Sequence, residues 1–310
     1  MSAPSPGRKP LLPRALDVLG RTLIGAGLLL LAFVAYQLWG TGIQQSRSQK
    51  ALEKQYESRY VPPAPSATTA TTDPAPTTTL APRMPAKGEV IGRITIPRLE
   101  LNTWFVAGAR LDQLEKGPGL FLGSVLPGQF GNAAVAGHRT SYGAPFGELD
   151  KLVPGDPIVY TTPQGTFTYI VSSSEIVNAW RVDVVETKDE TRAVTTLVTC
   201  HPKWTSSKRL IVHAELASSQ APMPPTPLVT APGTTDDVQE AVSPGWFHDT
   251  SRIVPTVLWS LLLVAVWIAG RRLAGTGWRR VAVTVVSGAV FLVVLFMVFE
   301  NLTGLLPANL

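Results

Sequence analysis

Three runs of the chain carry no charge and are long enough to cross a bilayer. Thr22 to Trp39 reads TLIGAGLLLLAFVAYQLW, Ile253 to Gly270 reads IVPTVLWSLLLVAVWIAG, and Val281 to Phe299 reads VAVTVVSGAVFLVVLFMVF. Each run is 18 or 19 residues, close to the ~20 that a helix needs to cross ~30 Å of hydrocarbon. A soluble core helix of this length would keep a polar stripe, so the runs read as membrane spans. The segment QLWGTGIQQ after the first run lacks a small-x-small cleavage site, which makes that run an uncleaved anchor rather than a removed leader.

Arginine and lysine orient these spans. Arg8, Lys9, Arg14 and Arg21 precede the first, and Arg271, Arg272, Arg279 and Arg280 lie between the last two. Basic loops stay in the cytoplasm, and two spans separate the clusters, so both sit on one side without conflict. The expected order is then a cytoplasmic N-terminus (1–21), a span (22–39), and a stalk with a Pro/Thr-rich linker (40–88). A catalytic-size domain (89–216), a Pro-rich linker (217–252) and a span (253–270) follow. A basic cytoplasmic loop (271–280), a span (281–299) and a short external tail (300–310) complete it. The external face of the cell membrane is the expected place of the domain.

The net charge of +5 invites a nucleic-acid reading, which its distribution removes. Residues 1–88 hold 10 Lys/Arg against 4 Asp/Glu, residues 89–216 hold 12 against 13, and residues 217–310 hold 5 against 5. The excess is N-terminal, where it orients the anchor. No nucleic-acid partner is implied.

The stretch SRSQKALEKQYESRY after the first span is polar with helix formers, a short stalk. Two stretches dominated by Pro, Thr and Ala, residues 61–88 and 218–245, cannot build a core and read as extended spacers. Between them lie about 128 residues, enough for one compact domain. EVIGRITI, LELNTWFVAGA, NAAVAGH, AVTTLVTC and KRLIVHAEL read as strands. PIVYTTPQGTFTYIVSSSEIV reads as a hairpin turning at TPQG, and LDQLEKGPG and FGELDKLVPGD as brief helical interruptions. Seven or eight short strands make the domain all-β, a closed barrel or a sandwich.

Cys200 is the only cysteine in the chain. It is a buried apolar filler, an intermolecular link, or a reactive group. Alternation on the last strand puts Arg209, Ile211, His213 and Glu215 on one face, and Thr196, Val198 and Cys200 share a face on the strand before it. If the two strands are neighbours, Arg209 returns to the thiol, where a cation favours thiolate and can hold a developing oxyanion. The competing reading has Arg209 as a solvated strand residue. A cysteine nucleophile needs an acid–base partner. His248 is remote beside a span, His213 lies on a packing strand, and His201, adjacent to Cys200, points to the opposite face. His138 remains, at the end of a small-residue strand and the start of a Gly-rich loop, where it is either a satisfied core histidine or an exposed catalytic one. No His/Cys/carboxylate cluster has metal-ligand spacing, and no cofactor is implied.

These residues resemble a known family. Thr196-Leu197-Val198-Thr199-Cys200, Arg209 on the following strand and a Gly-His-x histidine 62 residues upstream of the cysteine match the pattern of sortases, membrane-anchored cysteine transpeptidases of Gram-positive surfaces. GHRTSYGAPFGELDKL and CHPKWTSSKRLIVHAEL most resemble class E sortases of high-GC Gram-positive bacteria. The resemblance covers about residues 88–216 and implies an eight-stranded barrel. It implies that Cys200 attacks the threonine carbonyl of a C-terminal sorting signal and that His138 shuttles protons. Arg209 would hold the carbonyl or oxyanion. The partners implied are sorting-signal-bearing surface proteins and the amine of a cell-wall peptide or lipid-linked precursor. It further implies that Tyr142 and Thr199 meet the substrate, and that the signal is Leu-Ala-x-Thr-Gly rather than Leu-Pro-x-Thr-Gly. Alanine keeps the N–H that proline lacks, and a phenol oxygen can accept a bond from it. The two C-terminal spans depart from the many sortases that carry only an N-terminal anchor. Two other readings compete: a surface-displayed binding module with an intermolecular cysteine link, and an L,D-transpeptidase, whose S-H-G-C arrangement the chain lacks.

Overall fold

The structure, a computed structural model, describes residues 11–60, 85–203, 205, 207–225, 250–273 and 276–305. Both Pro/Thr-rich spacers fall largely outside these residues. Eight strands form the domain: β1 (Val90–Ile96), β2 (Leu101–Ala107), β3 (Gly119–Leu120), β4 (Gly131–Ala136), β5 (Pro157–Thr162), β6 (Gly165–Asn178), β7 (Ala193–His201) and β8 (Lys208–Leu216). They close into a barrel in the order β1-β2-β3-β4-β7-β8-β6-β5. The closed barrel rather than the sandwich is therefore the fold, with full closure leaving no open sheet edge.

Local chemistry sets most of these strands. Pro163 and Gln164 form the two-residue turn of the β5–β6 hairpin, in which Thr162 pairs with Gly165. Along β8 the alternation is strict: Leu210, Val212 and Ala214 enter the barrel core with Leu197, Val135 and Phe105. Fully burying an aliphatic side chain of this kind contributes about 1.5–3 kcal/mol. The opposite face is buried as well. Ile211 and Val198 lie under Val177, Val184 and Val185, which cap the barrel from the end of β6 and the connection to β7. FGELDKLVPGD yields only a single 3₁₀ turn, Leu149–Lys151.

The membrane-length helices flank the barrel. α1 (Leu11–Ala35) continues through a π-helical turn at Tyr36–Gly40 into α2 (Thr41–Tyr60). A four-residue helix, α3 (Leu111–Leu114), lies between β2 and β3. After the second spacer come α4 (Ile253–Leu273) and α5 (Trp278–Thr303). Among the described residues, three helical segments are long and apolar enough to cross a membrane. They meet at one end, where Phe33 packs on Phe299 at 5.2 Å between ring centroids and Tyr36 on Phe296 at 5.1 Å.

The stretch read as a stalk does more than stand off from the membrane, since α2 docks on the barrel. Leu52 is buried against Val90 and Val106. The Gln49 side chain accepts from Trp104 N at 2.7 Å and the Thr103 hydroxyl at 2.9 Å, and donates to the carbonyls of Trp104 and Lys116 at 3.0 and 2.8 Å. A glutamine amide thus satisfies backbone groups that the barrel would otherwise leave unpaired. On the far side the domain runs past Leu216. Gln220 bonds Thr166 and Thr168, and Met223 pairs with Gln129, before the second spacer begins.

Candidate active site

β7 occupies the position on which the predicted residues converge, because its two neighbours carry the other two. On one side it pairs antiparallel with β8, with Cys200 directly opposite Arg209. Directly opposed residues on antiparallel strands project from the same face, so thiol and guanidinium leave the barrel together. Cys200 is half-buried. Arg209 is buried, with one Nη donating to the Lys208 carbonyl at 3.1 Å.

On its other side β7 runs parallel to β4, and the last registered pair is Ala136 with Val198. His138 follows Ala136 by two residues, as Cys200 follows Val198, so parallel pairing carries both to the same level. Two bonds extend that alignment past the strand end. Gly137 N donates to the Val198 carbonyl at 3.0 Å, and the Thr199 hydroxyl donates to the Gly137 carbonyl at 2.7 Å. Glycine is required at 137, where an added Cβ would come within 2.6 Å of the Phe146 ring.

His138 is buried, and its Nε2 has no hydrogen-bond partner among the described residues. Burial penalises the imidazolium and pushes the pKa down to about 4 from the ordinary 6.5. A strongly perturbed titratable group beside a thiol and a guanidinium marks a functional-site candidate. The Tyr142 ring lies 5.0 Å from that of His138, tilted by 32°. Tyr142 adopts a left-handed backbone (φ 49°), and its hydroxyl donates to Glu115 at 3.1 Å. Burial, reinforced by the Glu115 carboxylate, pushes the phenol pKa up.

Thr199 points into the barrel, where its buried hydroxyl is spent on Gly137; its visible work is to tether the His138 loop. Of the remaining histidines, His201 and His213 lie where strand alternation puts them. His201 leaves the face opposite to Cys200 and meets Arg139 at 2.9 Å. Burial, with Arg139 and Lys208 nearby, lowers its pKa. His213 bridges Thr196 and Glu175 at 3.3 and 3.2 Å. His248 lies outside the described residues.

Sequence reasoning missed two side chains here. Arg139 is buried, and its Nη1 donates to the Cys200 carbonyl at 2.9 Å while its Nη2 reaches Asp150 at 3.0 Å. It ties the loop after β4 to the end of β7. The signal was its place directly after His138. Glu115 gave no signal at all, since nothing in its local sequence separates it from a solvated helix-end carboxylate.

The sequence also matches known proteins. A family model described as the sortase domain covers residues 94–217. Sortase SrtE1 of Streptomyces coelicolor is 28% identical over 70% of this chain and 61% of its own length, so the chain spans about three fifths of that relative. Sortase D of Bacillus subtilis is 28% identical over 58% of this chain and 86% of its own. Among solved structures, sortase E from Streptomyces avermitilis is 35% identical over 43% of this chain and 91% of that one, with a TM-score of 0.38. The putative sortase YwpE of Bacillus subtilis is 33% identical over 29% of this chain and 86% of its own length, and with a relative of that identity covered so fully the chain belongs to the sortase family.

Proposed function

We propose that the protein is a membrane-anchored cysteine transpeptidase acting on the outer face of the cell membrane. Its substrate is a protein ending in a Leu-Ala-x-Thr-Gly or Leu-Pro-x-Thr-Gly-like signal, and its acceptor is the amine of a cell-wall peptide or lipid-linked precursor. One observation carries the reading: the register of β7 against β8 and β4 aligns Cys200 with Arg209 and His138.

The chemistry follows from the environment of each group. Burial makes the neutral His138 imidazole a weak base, so it takes the Cys200 proton only transiently, as the thiol engages the substrate carbonyl. Sγ then adds to the threonine carbonyl carbon, and the oxyanion develops against the Arg209 guanidinium. The Thr–Gly C–N bond breaks as His138 returns its proton to the leaving amine, leaving a thioester on Cys200. An imidazolium destabilised by burial is a strong acid, which suits this transfer. The acceptor amine next attacks the thioester and His138 removes its proton. The C–S bond then breaks, with Sγ departing and the new amide formed.

Tyr142 and Thr199 enter at the edges of this scheme. The Tyr142 hydroxyl already donates to Glu115, so its lone pairs are what it can offer a substrate N–H. Thr199 acts through the Gly137 carbonyl to hold His138 near Cys200. Topology follows the arginine clusters, with the N-terminus and the 271–280 loop inside and residues 40–252 outside.

The test is to incubate the full-length protein with signal peptides and trap the acyl group on Cys200 by mass spectrometry. A thioester at Cys200 with Leu-Ala-x-Thr bound and glycine lost supports the reading. Cleavage without such an adduct, or cleavage retained in Cys200→Ala, overturns it.

A further inference from the structure

Arg252, just before the C-terminal pair of membrane helices, reaches a buried carboxylate beside the barrel. Glu115, at the end of α3, accepts from three separate parts of the chain. Arg252, just before α4, places Nη2 at 3.2 and 3.0 Å from its two oxygens. Gln44 of α2 donates from Nε2 at 3.1 Å. Tyr142, in the loop that follows His138, donates its hydroxyl at 3.1 Å. Glu115 is 8% exposed, so these bonds form where water competes poorly.

The same loop is held from the N-terminal side. Tyr142 N donates to the Thr41 hydroxyl at 3.1 Å, and that hydroxyl donates onward to the Gln37 carbonyl at 2.9 Å. Gln37 in turn donates to the Thr303 hydroxyl of α5 at 3.2 Å. A tyrosine in left-handed backbone conformation is strained and persists only where its surroundings over-determine it. Here they do, with one brace on its amide, one on its hydroxyl and the His138 ring against its face.

We propose that Glu115 is a positioning residue for His138, and that the α4–α5 helix pair is an intramolecular partner of the active-site loop, engaged through Arg252. This rests on the assignment of His138 as the proton shuttle. Arg252 fixes the Glu115 carboxylate, the carboxylate fixes the Tyr142 phenol, and the phenol ring packs on the imidazole. Removing Arg252 leaves a buried carboxylate with its strongest partner gone, so it moves or takes up a proton, and in either case its hold on Tyr142 is lost. The α4–α5 pair thereby acts on turnover without touching substrate.

The experiment uses the full chain in detergent micelles with its histidines labelled at ring carbon. Wild type, Arg252→Met, Glu115→Gln, the double variant and the conservative Arg252→Lys are compared by peptide kcat and KM and by NMR titration of His138. Gly304→Val is a remote variant, since its side chain would press on Arg252, whose Cδ lies 2.4 Å from a Cβ built there. All residues changed lie outside the barrel core, and circular dichroism checks the fold. Coupling through a network of this kind changes kcat by between about 2-fold and 30-fold. The expected result is a fall in kcat of that size with little change in KM, no further loss in the double variant, and partial rescue by Arg252→Lys. The His138 titration moves from about 4 toward the ordinary value in the same variants. An unmoved titration in Arg252→Met and Glu115→Gln overturns the coupling, as do losses that multiply in the double variant. A moved titration with unchanged kcat supports the coupling and instead overturns the role of His138 in the proposed function.

Discussion

Cys200 and Arg209 face each other on the last but one rung of the β7–β8 ladder, before both strands leave the sheet. The guanidinium is anchored by its own strand at the Lys208 carbonyl, so its reach toward the thiol face is set by backbone register rather than by side-chain freedom. That arrangement makes the contribution of each group separable by substitution.

Cys200→Ala is expected to abolish transpeptidation of a signal peptide. His138→Ala and Arg209→Ala should each lower kcat/KM by at least about 100-fold. Arg209→Lys keeps the charge but loses the fork geometry and should remain impaired. His201→Ala should cost far less. Steady-state kinetics on matched preparations check all five, and full activity in His138→Ala would refute the assignment.

Arg139 predicts a separable stability effect. Arg139→Met removes a charged donor from the part-buried Cys200 carbonyl, which costs about 1–3 kcal/mol. Asp150 is half exposed, so Asp150→Asn should cost under about 1 kcal/mol. Thermal unfolding of the two variants gives the comparison.

The buried His138 makes the fold acid-sensitive. Its folded pKa of about 4 lies below the unfolded 6.5, so the native state excludes a proton that the unfolded chain accepts. The stabilisation is complete above about 6.5 and is lost as pH falls toward 4. A gap of this size corresponds to about 3 kcal/mol. Denaturant midpoints measured across that window should fall in wild type and flatten in His138→Gln.

Signal choice tests Tyr142. If its oxygen accepts the N–H of the second signal residue, alanine should be favoured over proline by several-fold to about tenfold in kcat/KM. Tyr142→Phe should narrow that ratio, and Tyr142→Ala should also lose the packing on His138. Equal cleavage of both peptides by wild type would remove the role.

Orientation is checked by labelling in a Cys200→Ala background. A cysteine at Ser243 should react with a membrane-impermeant maleimide on intact cells, and one at Thr276 should not. The opposite pattern would place the catalytic domain in the cytoplasm.

What was legible in the sequence is what short-range pattern controls. Alternation along β8, the two-residue turn at Pro163-Gln164 and the charge-free runs each carry their structure within a few residues. The order of the barrel does not, because β7 enters between β4 and β8 through a parallel pairing of segments about sixty residues apart. The His138–Cys200 spacing pointed to a site only once a family pattern stood beside it. The docking of α2 was hidden for another reason: Gln44 and Gln49 bind through amides to backbone and carboxylate, which leaves only the pair Leu52 and Tyr56 as an apolar signal. Glu115 escaped notice because its partners come from three distant segments.

The tether from Thr199 to Gly137 has a consequence for the life of the newly made chain. It joins strands 62 residues apart and forms only when the parallel β4–β7 seam is sewn. Until then the thiol has no imidazole beside it, even where the local β7–β8 pairing already sets Arg209 opposite. On the proposed mechanism, a chain whose β4–β7 seam is unmade has no proton shuttle at its thiol, so that one long-range pairing would switch on the chemistry.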